Sequence, residues 1–403
     1  MAPSLTAFNA LLEEDYMQTV LITGSRGFIG KNLLAHLAEM NEVRVLAAHW
    51  DDSEDIWKDL VSQADKIVHL AGVNRPDDPE EFEKGNVDLT RKICTFAAAT
   101  ICRPHIIMSS SIQARLDNAY GASKKKAEEE LKKYSAEANA KVSIIRLKNV
   151  FGKWCRPNYN SVVATFCHNI ACDKPIEIRD PTFELELVHV DDVVKTILEE
   201  LKSTDPKEQV VERGNEMPSP QITLGELAGR IQEFRDMGNS LLIPDLSDSF
   251  VQQLYSTFLS YVDPSKWEYG LQKREDNRGS LAEFVKSDGF GQIFVSRTKP
   301  GITRGNHYHH VKTEKFLVLS GQGLIRLRHI NDTKVIEYLV RGDEYRVVDI
   351  PPGYTHSIEN VGDSEMVTLF WANEIFDPNQ PDTYFQNVEV SDDEQPNTLR
   401  KAS

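Results

Sequence analysis

Tyr120 and Lys124 stand four residues apart at the start of a strongly helical segment, Tyr120-Gly121-Ala122-Ser123-Lys124. On a helix that spacing puts both side chains on one face, where an ammonium favours the phenolate of a tyrosine whose ordinary pKa is about 10. Just upstream, Ile106-Ile107-Met108-Ser109-Ser110-Ser111 carries hydroxyls at the end of a predicted strand. A serine beside that phenol could hold a substrate carbonyl or hydroxyl while the tyrosine exchanges a proton with it. Taken alone, a Tyr and Lys so spaced are an ordinary solvated helix face, so the reading depends on what surrounds them. A second group is His307-x-His309-xxxx-Glu314, followed by Pro351-Pro352-Gly353-Tyr354-Thr355-His356. His307 and His309 alternate along a predicted strand and so face the same side. With Glu314 and His356 they supply three imidazoles and a carboxylate, a set suited to zinc or another divalent transition metal.

The elements around the first group are those of a nucleotide-binding fold. Thr19-Val20-Leu21-Ile22 is an apolar run that meets Thr23-Gly24-Ser25-Arg26-Gly27-Phe28-Ile29-Gly30, and residues 31–40 carry apolar side chains at helical spacing. This reads as strand, glycine turn and helix. The glycines let the backbone approach a pyrophosphate, whose charge sits among the free N–H groups of the helix N-terminus. Strand-like runs at 43–48, 66–70 and 105–108 extend the pattern to a doubly wound parallel α/β sheet of Rossmann type. From Asp276 onward the texture changes to short β-rich runs at 292–296, 315–319, 324–328, 337–340, 346–350 and 366–371, separated by turns. That pattern predicts an all-β sandwich or barrel. The polar run from Gln272 to Asn277 is the expected linker, giving an N-terminal extension 1–16, a cofactor-binding domain 17–269, a β domain 270–388 and a disordered tail 389–403.

Acidic residues outnumber basic ones by 62 to 46, and the net charge of −16 argues against a nucleic-acid or anionic-membrane partner. The cysteines, Cys94, Cys102, Cys155, Cys167 and Cys172, form no CxxC pair, which fits a reducing compartment. No run of about 18 apolar residues is present, so no membrane span is expected. Residues 1–16 lack the regions of a signal peptide, and a cytoplasmic location is expected. The choice of dinucleotide turns on the residues near the second strand. Asp51 and Asp52 stand at a distance suited to the ribose hydroxyl of NAD, whereas Arg26 and His49 offer cationic groups for a 2′-phosphate. The cations favour NADP(H).

Over residues 18–269 the chain resembles the extended short-chain dehydrogenase/reductases. The resemblance rests on the glycine turn, His69-Leu70-Ala71-Gly72, Asn86-Val87, Ser109 to Ser111, Tyr120-xxx-Lys124, Arg146 to Gly152 and Val188-His189-Val190-Asp191-Asp192-Val193. It implies that a Ser/Tyr/Lys set does the chemistry, with Ser111 at the serine position ahead of Ser110. It also implies that Leu70, Ala71 and Gly72 border the cofactor. Asn149 and the segment holding Lys153, Arg156, Asn158 and Asn160 would lie on the nucleotide-sugar side. Two cations, amides and aromatic rings in that segment suit a diphosphate and a base.

The second half resembles the cupins, with the first motif matched from Gly301 to Gly321 and the second loosened before Pro351. Asp276 to Ser280 and Ser296 to Tyr308 also resemble the deoxysugar-nucleotide epimerases built on the same barrel, where the position of His307 is a base instead of a ligand. The company of His309, Glu314 and His356 puts the ligand role first. Across residues 18–388 the combination resembles bifunctional capsular-polysaccharide enzymes, including Pro157-Asn158-Tyr159-Asn160-Ser161 and Phe376 to Pro381. It implies a UDP-linked 4-keto-6-deoxy-N-acetylhexosamine that one half epimerises at C3 and the other reduces at C4 with NADPH. A homodimer is expected because cupin barrels and reductases of the types it resembles commonly pair. Rival readings are a 3,5-epimerase and 4-reductase of another ketosugar nucleotide and, more remotely, a non-catalytic NADP(H) sensor.

Overall fold

The computed structural model describes residues 17–203 and 209–389. The expectations for the extension 1–16 and for the tail beyond Glu389 lie outside the described residues. The chain divides into two units, one holding residues up to Gln232 together with Gln253–Asp263, the other Glu233–Gln252 together with residues from Pro264 onward. The division departs from a simple cut near residue 270 because the backbone of Leu241 and Ile243 exchanges hydrogen bonds with Lys286, at 2.7 and 2.8 Å. That bridge attaches the 233–252 segment to the β-rich unit.

The first unit runs β1 (Gln18–Thr23), α1 (Phe28–Leu37), β2 (Val43–Ala48), α2 (Glu54–Ser62), β3 (Lys66–His69), α3 (Leu89–Ala98), β4 (His105–Ser111), α4 (Ala119–Ala138), β5 (Val142–Leu147), β6 (Asn149–Phe151), α5 (Val162–Ala171), β7 (Glu184–His189), α6 (Val190–Lys202), β8 (Val210–Arg213) and β9 (Gln221–Thr223). Six strands form one parallel sheet in the order β2-β1-β3-β4-β5-β8. Alternate side chains of each strand point to opposite faces. Leu21, Ile67, Ile106 and Ile144 therefore pack on one side with Trp57 of α2, Ile93 of α3 and Leu131 of α4. Val20, Ile22, Val68 and Ile107 pack on the other with Leu33 of α1 and Ile197 of α6. Burial on both faces is why these strands read as unbroken apolar runs. The order reverses at β1, which has β2 on one side and β3 on the other. Loops leaving the C-terminal ends of β1 and β3 diverge there, and the crevice between them is where such sheets bind ligands.

Helices α7 (Leu224–Ser240) and α8 (Ser249–Leu259) each carry residues of both units. The second unit then continues with β10 (Lys273–Asp276), β11 (Gly279–Ser287), β12 (Gly291–Thr298), β13 (Thr303–Tyr308), β14 (Glu314–Ser320), β15 (Gln322–His329), β16 (Val335–Arg341), β17 (Val347–Ile350), β18 (Tyr354–Asn360), β19 (Met366–Ala372) and β20 (Tyr384–Phe385). They form two antiparallel sheets, β10-β11-β12-β19-β14-β17 and β16-β15-β18-β13-β20. Phe316, Val348 and Phe370 of the first sheet share a core with Ile325, Val340 and Ile358 of the second. Each strand predicted in this half falls in one of these sheets.

Candidate functional site

A cleft of about 550 Å³ opens in the first unit. Gly24, Arg26, Gly27, Phe28, Ile29 and Gly30 line it after β1, with Leu70 and Gly72 after β3. Gly24 sits at φ +73, and a Cβ there would lie 2.6 Å from the Ala71 nitrogen; one on Gly30 would lie 2.3 Å from the Gly24 oxygen. Both positions therefore require glycine, the first for conformation as well as space. Gly27 caps α1 without a side chain, so the first N–H groups of that helix stay open to an anion. Thr23 ties the two strand ends together, its Oγ1 accepting from Ala71 N at 3.2 Å and contacting His69 Nδ1 at 2.7 Å. The His69 ring meets Thr90 on its other side, and burial followed by the charge of Lys124 pushes it down to about 3, so it is a neutral strut.

Two local caps bring the serine and tyrosine together. Ser111 Oγ accepts from Gln113 N at 3.1 Å and starts the turn Ile112–Arg115. Asn118 Oδ1 accepts from Gly121 N at 2.8 Å and starts α4. A Cβ on Gly121 would stand 2.1 Å from Gln113 O, so only glycine lets the first turn of α4 lie against that turn. Lys124, 8 % exposed, follows one turn later; its Nζ donates to Ser109 O at 3.2 Å and lies 6.0 Å from the centre of the Tyr120 ring. Burial pulls Lys124 down to about 8, with Glu128 opposing. Burial likewise pushes the Tyr120 phenol up, opposed by a hydrogen bond with the Ser111 hydroxyl. Desolvation thus outweighs the expected stabilisation of a phenolate, and the phenol keeps its proton. Ser110 donates instead to Glu128 at 2.6 Å, and Glu128 is paired with Arg146 at 2.6 Å.

Asn149, Arg156 and Asn160 also line the cleft. The Arg156 guanidinium lies 5.1 Å from the Tyr159 ring centre, and Tyr159 Oη donates to Asn74 Oδ1 at 3.0 Å. Arg75 Nη1 donates to Tyr159 O at 2.5 Å. Sequence reasoning missed Asn74, which lines the cleft, although it follows β3 just as the glycine turn follows β1. His49, Ala71, Lys153 and Asn158 are not among the lining residues. Lys153 points to Asp191 at 2.9 Å, Asn158 N donates to Thr165 Oγ1 at 3.0 Å, and His49 N donates to Asp52 Oδ2 at 2.7 Å.

In the second unit His307, His309, Glu314 and His356 converge, with one ligand atom from each lying within 4.8 Å of the others. β13 ends at Tyr308, so His309 stands just past the strand instead of alternating within it. A register shift between Gly305 and His307 re-aims the chain, with Asn306 at φ +59. Glu314 Oε2 is 3.5 Å from His309 Nε2 and 3.2 Å from His356 Nε2. Both nitrogens are buried without a hydrogen-bond partner. On the far side of each ring, His309 Nδ1 meets Asp382 O at 2.5 Å and His356 Nδ1 meets Tyr354 O at 3.3 Å. A carbonyl can only accept, so the proton sits on Nδ1 and the bare Nε2 faces the cluster. Burial holds His307 down to about 4, with the carboxylate of Glu314 opposing. Three imidazoles and a carboxylate converging on one point, with two buried ring nitrogens that have no hydrogen-bond partner, fit a divalent cation.

A parallel sheet with a glycine-built turn beside a Ser/Tyr/Lys cleft is the architecture of a nicotinamide-dependent enzyme. Residues 20–212 match the NAD dependent epimerase/dehydratase family and residues 274–384 the polysaccharide biosynthesis C-terminal domain. The chain belongs to that family, in a form that carries this C-terminal domain. It is 43 % identical to the UDP-2-acetamido-2,6-beta-L-arabino-hexul-4-ose reductase of Pseudomonas aeruginosa, over 92 % of this chain and 98 % of that one. It also resembles the crystal structure of the capsular polysaccharide assembling protein CapF from Staphylococcus aureus, with a TM-score of 0.84 and 46 % identity over 92 % of this chain and 100 % of that one. A structure of CapF with the inhibitor 3-isopropenyl-tropolone matches at a TM-score of 0.80 and 42 % identity, over 93 % of this chain and 100 % of that one. Among the described residues no helix is long and apolar enough to cross a membrane.

Proposed function

We propose that this protein is a bifunctional nucleotide-sugar enzyme, which epimerises a UDP-linked 4-keto-6-deoxy-N-acetylhexosamine at C3 and reduces its C4 ketone to UDP-2-acetamido-2,6-dideoxy-L-talose. The observation that carries the reading is the pairing of a Ser111/Tyr120/Lys124 cleft with the His307/His309/Glu314/His356 cluster in one chain. Near-full-length similarity to a reductase named for such a UDP-sugar supports the substrate class. We read the two antiparallel sheets as a cupin that holds zinc or a similar divalent ion, and the working assembly as a homodimer.

In the reduction, bound NADPH supplies the hydride. Tyr120 gives its phenolic proton to the oxygen that leaves the ketone state, Ser111 orients that oxygen, and Lys124 balances the charge as the proton departs. NADP(H) is favoured because Arg26 lines the cleft while the Asp52 carboxylate is spent on the His49 backbone N–H. Leu70, Ala71 and Gly72 bring β3 close to the glycine turn, and Asn149, Arg156 and Asn160 offer polar groups to the diphosphate and base. A divalent ion held by His307, His309, Glu314 and His356 would stabilise the negative charge that develops when a carbon beside a ketone loses its proton. Product analysis with UDP- and dTDP-linked 4-keto-6-deoxy sugars, each with NADPH and with NADH, tests the reading. The expected result is reduction of the UDP-N-acetyl sugar with NADPH; faster turnover of the dTDP sugar would contradict it.

A further inference from the structure

The segment after β19 returns to the imidazole cluster. β20 pairs with the end of β13, setting Phe385 against His307 and Tyr384 against Tyr308. Just before it, Pro381 O accepts from Lys312 Nζ at 2.6 Å. Asp382, at φ +38, then makes two kinds of contact with the loop between β13 and β14. Its carbonyl faces His309 Nδ1 at 2.5 Å. Its carboxylate accepts from the backbone N–H groups of His310, Val311 and Lys312, at 2.9, 2.9 and 2.8 Å. One residue thus holds the ring of a cluster member and the backbone that separates His309 from Glu314.

The chemistry of imidazole makes this arrangement consequential. A neutral ring carries one proton, and an acceptor at Nδ1 fixes it there, leaving the Nε2 lone pair for an ion. Three consecutive N–H groups aimed at one carboxylate form an anion-binding concavity that keeps the loop in a single shape. Removing the carboxylate frees both the loop and the carbonyl that orients His309.

We propose that Asp382 is a positioning residue of the metal centre: it fixes the tautomer and ring orientation of His309 and the shape of the loop that leads to Glu314. This rests on the reading of the cluster as a metal site. The test is zinc affinity of the full chain, wild type against Asp382→Ala and Asp382→Asn, by competition with a chromogenic chelator. Cobalt-loaded samples report coordination through their visible bands, and far-UV circular dichroism with NADPH binding checks that the fold is kept. Loss of a group that orients a ligand is expected to weaken binding about 10- to 100-fold. The alanine variant should weaken most and show altered cobalt bands; the asparagine variant, which retains one acceptor oxygen, should fall between. Wild-type zinc affinity and unchanged cobalt bands in both variants would overturn the proposal while leaving the metal site intact. A wild-type chain that binds no zinc would overturn the metal reading and this inference with it. If Asp382→Ala fails to fold, Asp382→Asn decides alone.

Discussion

In the cleft, Lys124 already rests on the Ser109 carbonyl and Ser111 already caps a turn, whereas in the β-rich unit the Nε2 atoms of His309 and His356 are buried with nothing to bond. An open site whose polar groups are satisfied suits a ligand that enters and leaves in every cycle. A buried site with orphaned lone pairs suits one that stays, because an unmet buried polar atom costs about 1–3 kcal/mol. The cleft is therefore read as the place where dinucleotide and sugar exchange, and the cluster as a resident-ion site.

Separating the two chemistries gives the largest expected effect. Tyr120→Phe removes the proton donor and should lower ketone reduction by about 10²- to 10⁴-fold in an NADPH-consumption assay. Exchange of the C3 proton should continue, and parallel loss of both would dissolve the distinction between the sites. His356→Ala is the converse case. Elemental analysis should show the bound metal lost, and C3 exchange should fall by at least about 100-fold, the upper end for changes that merely orient a ligand. Reduction of an already epimerised ketosugar should persist. A smaller effect sharpens the assignment of the cleft. Arg26→Ala should raise KM for NADPH about tenfold, the size of a charge-assisted hydrogen bond of about 1.5 kcal/mol, and leave KM for NADH unchanged. An equal change for both cofactors would count against a 2′-phosphate contact.

The gentlest test is pH. With Lys124 pulled by burial to about 8, its ammonium is present below that value, so kcat/KM for reduction should decline as pH rises through about 8. Lys124→Arg keeps the charge and should remove that decline from the accessible range. For stability the sign is opposite. The unfolded lysine keeps its proton up to its ordinary 10.5, so this group destabilises the fold below about 8, and the penalty fades as pH rises towards 10.5. A Lys124→Met chain whose melting temperature responds to alkaline pH like the wild type would contradict the sign.

Much of this was legible in the chain because local rules act locally. Thr19-Val20-Leu21-Ile22 before Gly24, and Tyr120 four residues before Lys124, announce a strand, a turn and a helix face without tertiary help. The His307, His309, Glu314 and His356 set was equally readable, since each is a ligand type. Asp382 was not, because it lies 73 residues from His309 and acts through a backbone carbonyl and three N–H groups that any sequence possesses. Lys153 shows what charge type alone leaves open. Its charge suits a diphosphate, but the fold places Asp191 within 2.9 Å and turns the ammonium there. In the β-rich unit β10, β11, β18 and β20 fall outside the predicted runs; of these β10 is wholly exposed and β20 has only two residues.

Incubation of the full chain with UDP-4-keto-6-deoxy-N-acetylhexosamine in deuterated water, with and without NADPH, reads both chemistries in one experiment. The expected outcome is deuterium at C3 in either condition and reduction at C4 only when NADPH is present. Reduction without any deuterium at C3, or no response of either carbon, would contradict the bifunctional reading.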